Sequence, residues 1–126
     1  MPDKTKHLNQ TRHNLALLDE PPLKAPSAKY SDWFVTICFY AAMHLIDHRL
    51  AELVGGIPGD PVDHMHRQNM IDRVLEPKYP GLSAQYVALK IMSIKARYEC
   101  LDINGIRTNH AIALFNNIAR IMGVQP

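Results

Sequence analysis

The sequence predicts an all-α fold, an up-and-down antiparallel bundle of four to five helices. Three observations carry this reading. Proline and glycine cut the chain into segments of helical length. Apolar residues inside those segments recur at three- and four-residue spacing. No stretch alternates apolar and polar residues for long enough to make a strand.

Residues 3–20 read as a first helix with Leu8, Leu15 and Leu18 on one side. Pro21, Pro22 and Pro26 follow it, and their fixed φ and missing amide hydrogens impose an extended linker. Residues 1–27 are therefore assigned as a helical arm with a Pro-rich linker, and residues 28–126 as the bundle. The second helix opens at Ser31, with Asp32 in its first turn, and runs to about Val54. Gly55, Gly56, Pro58 and Gly59 end it. Asp60-Pro61-Val62-Asp63 starts a third helix, with an acidic cap, a proline at the first position and an acid in the first turn. Glu76-Pro77 stops that helix, and Tyr79-Pro80-Gly81 makes a turn. A fourth helix covers about Ser83 to Leu101, with Asn104-Gly105 as its stop. The fifth runs from about Thr108 to Met122.

Periodicity ranks these helices. The fifth has one stripe, led by Ala111, Leu114, Phe115 and Ile118, and covers a core from one side. The second is apolar on two faces, Trp33-Ile37-Tyr40-His44 and Phe34-Cys38-Ala41-Leu45, so partners must surround it. The fourth is similar, with Leu89, Ser93 and Arg97 on one line and Ile91, Ile94 and Tyr98 on another. The second and fourth helices are thus expected to pack antiparallel at the centre. Trp33, Ile37, Ala41, Leu45, Leu89, Met92, Ile94, Leu114, Phe115 and Ile118 are expected to be buried.

Bulk properties exclude several classes. At 126 residues, 47% hydrophobic and 21% charged, the chain is one globular domain with a real core. A net charge of +2 is too mild to argue a nucleic-acid surface alone. Residues 1–59 balance six Lys/Arg with six Asp/Glu, whereas residues 60–126 hold eight against six, so an anion site is expected in the second half. Cys38 and Cys100 lie in apolar helical stretches without a metal-type partner and read as reduced, buried thiols. Residues 1–18 lack the apolar core of a signal peptide, and the stretch Trp33 to Ile46 is too short to span a bilayer. The expected setting is cytoplasmic, away from membrane.

The informative residues are polar ones on apolar faces. His44 follows Tyr40 by one turn, and His48 follows His44 by another. Ser93 and Arg97 continue the line of Leu89, and His64 and Arg67 share one side of the third helix. Three readings are open. In the first, His44, His48, His64 and His66 bind a metal, with His44 and His48 at the i, i+4 spacing of metal ligands, but Leu45 stands where the zinc motif of this kind needs a Glu, and no carboxylate motif repeats as a di-iron bundle requires. No metal or cofactor is therefore assigned. Alternatively the set is structural, with Arg97 paired to Asp47 or capping a loop and His44 hydrogen-bonded in the core. In the third reading His44, His64, Arg67 and Arg97 line a phosphate-binding cleft. The first-turn acids Asp60 and Asp63 oppose an anion sitting directly on the third helix.

The combination Tyr30-Ser-Asp-Trp33, Phe39-Tyr40-Ala-Ala-Met-His44, His64-x-x-Arg67, Tyr86-x-x-Leu89 and Ser93-x-x-Ala96-Arg97-Tyr98 resembles an uncharacterised branch of the HEPN superfamily of RNA- and nucleotide-associated helical domains. The resemblance covers about residues 30–100. It implies a four- or five-helix bundle that is commonly a homodimer. It also implies a place among metal-independent ribonucleases of toxin–antitoxin and defence systems, or among nucleotide-binding partners of nucleotidyltransferases. The superfamily's catalytic signature is an Arg followed after four to six residues by a His, acting in pairs across the dimer. No Arg of this chain has a His at that distance, and Arg107-Thr-Asn-His110 comes nearest with two residues between. The nuclease activity therefore does not carry over. The resulting expectation is a HEPN-like domain that binds RNA or a nucleotide, forms a homodimer and assigns no residue to catalysis. Its alternatives are an interaction module with a structural polar core and a cognate protein partner, or a ribonuclease using an unconventional His/Arg set.

Overall fold

The computed structural model describes residues 4–20, 23, 30–54, 64–98 and 105–126. Among the described residues the regular structure is entirely helical. Helix α1 spans Lys4–Leu18, α2 Ser31–Val54, α3 His64–Met70, α4 Leu82–Tyr98 and α5 Gly105–Met122. Between α3 and α4 the chain continues as a π-helical turn, Ile71–Leu75. No described helix is long and apolar enough to cross a membrane.

Helix α2 is central because apolar residues ring it. Phe34, Val35, Cys38, Phe39, Ala41, Ala42, Leu45, Ile46 and Leu50 are all buried. It packs against α1, α4, α5 and the π-helical turn. Side-chain pairings set the directions. Lys4, His7 and Thr11 meet His48, His44 and Ala41 in turn, so α1 runs antiparallel to α2. Arg97 meets Tyr40 while Tyr79 meets Arg49, so α4 is antiparallel to α2 as well. Asn117, in the second half of α5, meets Gln85 in the first turn of α4, as antiparallel packing of these two helices requires. The bundle expected from the sequence is the one observed.

Local chemistry explains the helix ends. The π-helical turn closes on the Glu76 amide, which donates to the Ile71 carbonyl at 2.8 Å and turns both Ile71 and Leu75 into the core. The Glu76 carboxylate then caps α4 across the turn, accepting from the Gly81 and Ser83 amides at 2.9 and 2.8 Å. Gly123, at φ +68°, ends α5 in a Schellman motif, with the Gly123 amide donating to the Arg120 carbonyl and the Val124 amide to the Ala119 carbonyl.

Several expectations are corrected. Trp33, in the first turn of α2, is 58% exposed and Ile94 of α4 sits at the surface, because each of these stretches is covered on fewer sides than its apolar lines imply. Ile37 and Met92 are only half-buried. Gly105, expected as a stop, is the first residue of α5, and Thr108 lies buried within that helix. The arm is an integral layer, since His7, Thr11 and Leu18 of α1 are buried against the bundle. Burial pushes the Cys38 thiol up to about 12, which keeps it protonated and makes it a core atom rather than a nucleophile. Cys100, the expected third-helix start at Asp60 to Asp63, and the end of the fourth helix beyond Tyr98 lie outside the described residues.

Candidate functional site

The polar residues of α2 form a seam along one side of that helix, and α1, α3 and α4 contribute partners to different stretches of it. At the Asp47 end, Arg67 of α3 forks onto the carboxylate, Nε donating to Oδ1 at 2.9 Å and Nη2 to Oδ2 at 3.0 Å. Both side chains are almost wholly buried, at 8% and 3% exposure. The Asp47 carboxylate raises the Arg67 pKa against the opposing pull of burial, which is the largest influence and lowers it. Tyr86 lies beside this pair. Burial pushes its phenol up, the nearby Arg67 charge partly offsets that, and its hydroxyl has no hydrogen-bond partner of good geometry.

One turn away, His44 faces His7 of α1, with their Nδ1 atoms 3.2 Å apart and ring centroids 5.4 Å apart. His48 is engaged elsewhere: Nδ1 lies 2.7 Å from the Lys4 carbonyl and Nε2 3.2 Å from the Glu52 carboxylate. Thr11 donates to the carbonyls of His7 and Ala41, each at 3.2 Å.

At the other end of the seam stands Arg97 of α4. Its Nη1 donates to the Tyr40 hydroxyl at 2.8 Å and its Nε to the Ser93 carbonyl at 3.3 Å. The guanidinium also lies over two rings, 5.5 Å from the centroid of Tyr40 and 5.8 Å from that of Phe39. Arg97 is half-buried and forms one wall of a cleft of about 260 Å³, whose other walls are Asp32, Trp33, Thr36 and Ala96. The exposed Trp33 indole separates this cleft from an apolar groove of about 330 Å³ lined by Leu17, Leu23, Tyr30 and Ile37.

Of the four residues expected to share one phosphate cleft, the three with described side chains, His44, Arg67 and Arg97, occupy different stretches of the seam. Arg97 contacts position 40 of α2 and Arg67 contacts position 47, which separates them by about 10 Å along the helix axis at 1.5 Å per residue. His44 sits between them against His7, and the His64 side chain lies outside the described residues. Arg67, expected in an exposed first turn, is 6% exposed, and it rather than Arg97 is the partner of Asp47. Arg107 and His110 are both exposed on α5. His66 is exposed on α3, so the four-histidine metal set does not assemble among the described side chains.

Two residues escaped the sequence reading. His7 carries no signal of its own in the helical arm, since only the packing of α1 brings it to His44. Trp33 looked like core because it stands four residues before Ile37 on an apolar line. Its helix position was legible, but whether anything covered that line was not. No family model, curated protein or solved structure matches the chain.

Proposed function

We propose that this chain is a HEPN-like domain that binds RNA or a nucleotide, and that the ligand seats on Trp33 with its phosphate toward Arg97. The exposed indole beside a pinned guanidinium is the observation that carries this reading. Aromatic faces stack on bases irrespective of sequence, and a guanidinium recognises phosphate oxygens through its planar fork. Contacts to Tyr40, Phe39 and Ser93 hold Arg97 in place, so little side-chain freedom is lost when phosphate arrives. The amino end of α2, at Asp32 to Thr36, lines the same cleft, and its dipole favours an anion. The Asp32 carboxylate opposes that and weighs toward a ligand with a single phosphate at this point. No residue is assigned to bond cleavage, because the superfamily's Arg–His spacing is absent.

Trp33 is the sole tryptophan, so its fluorescence reports on the cleft directly. Titration with AMP and with a short single-stranded RNA should quench it saturably. Trp33→Ala, followed by RNA filter binding, should weaken affinity by about tenfold or more, since stacking is worth about 1–3 kcal/mol per base. An unchanged indole signal up to millimolar nucleotide and RNA would defeat the reading. The apolar groove on the other side of Trp33 favours a second reading, an interaction module for a protein partner.

The same resemblance carries the proposal that two copies associate. Light scattering should give about twice the 14.3 kDa chain mass at micromolar concentration. A mass that stays at one chain would overturn the homodimer.

A further inference from the structure

We propose that His7, His44 and Asp47 form a three-ligand site for a divalent transition-metal ion of the zinc type, which fastens α1 to α2. One ligand atom from each of these residues lies within 4.8 Å of the other two. The two Nδ1 atoms stand 3.2 Å apart, close to the edge of about 3.3 Å expected between two nitrogens of a tetrahedral zinc site. Without metal, that approach requires one ring to carry its proton on Nδ1 and the other to accept it. With metal, both rings hold their protons on Nε2 and turn both Nδ1 lone pairs to the ion.

The surroundings fit the shape of a metal centre. His7 and Asp47 are buried and His44 is half-buried, so the site opens to solvent at one side. Arg67 orients Asp47 as outer hydrogen-bonding partners orient metal-ligating carboxylates, and each carboxylate oxygen retains a lone pair. The guanidinium charge also weakens Asp47 as a donor. Together with two imidazoles, that selects a strongly Lewis-acidic transition ion over magnesium or calcium. His48 is not a ligand, because both of its nitrogens face the Lys4 carbonyl and Glu52. With three protein ligands, the fourth position falls to a hydroxide or another small anion, which offsets the excess positive charge.

This site is independent of the nucleotide-binding reading, as it uses neither Trp33 nor Arg97. The full chain, stripped with chelator, is titrated with Zn²⁺ and separately with Co²⁺. After dialysis, one Zn²⁺ per chain should remain, and the melting temperature should rise with added Zn²⁺. Co²⁺ should give the intense visible absorption of a four-coordinate ion. His7→Ala and His44→Ala should each reduce zinc affinity at least a hundredfold, while His13→Ala, on the exposed side of α1, should leave it unchanged. Zinc retention equal in the wild type and the His7→Ala/His44→Ala double variant would overturn the site. Should those variants fail to fold, the wild-type Co²⁺ spectrum decides, and an octahedral spectrum there overturns it equally.

Discussion

Arg67→Ala is expected to destabilise the protein by about 3–5 kcal/mol, measured by urea denaturation followed by circular dichroism. The pair it breaks is buried on both sides, at 8% and 3% exposure, and its removal leaves the Asp47 carboxylate sealed without its two donors. A domain of this size holds about 5–15 kcal/mol in total, so the variant should melt early or express poorly. The loss reports stranding rather than the net worth of the ion pair. Desolvating two charges costs about what their attraction returns, so Arg67→Met combined with Asp47→Leu should recover most of the stability, or exceed it. An Arg67→Ala variant with wild-type stability would show that Asp47 is not sealed, and would return Arg67 to the set of candidate ligand contacts.

Phe39→Ala is expected to cost a similar amount, about 3–5 kcal/mol, through lost burial and the cavity left behind. Phe39 is fully buried and lies against the Tyr86 ring at 5.7 Å and the Tyr40 ring at 5.5 Å, with the Arg97 guanidinium over its ring. Its loss therefore reaches further than the core, because the Arg97 guanidinium gives up one of its two supporting rings. Ile94→Ala is the matched control. That residue sits at the surface of α4, where the change should stay within about 0.5 kcal/mol. Equal losses for the two variants would mean that the exposed side of α4 is covered in solution, by a second copy or by a partner.

Sequence alone determined the helices and their order. Prolines, glycines and acidic first turns act locally, over a few residues, which is why Ser31 opens α2 and Tyr79-Pro80-Gly81 separates the π-helical turn from α4. The central place of α2 was legible for the same kind of reason, since a helix apolar all round has to be enclosed. Only the tertiary structure decided the pairings of the polar residues. Asp47 takes Arg67 twenty positions away rather than Arg97, and His44 takes His7 from thirty-seven positions away. Such partners depend on how far each helix is rotated and shifted against α2, and a rotation of a few tens of degrees exchanges one partner for another. The same rotation left Trp33 in solvent on a line that reads as core. Helix periodicity states which residues share a face, and packing alone states what that face meets.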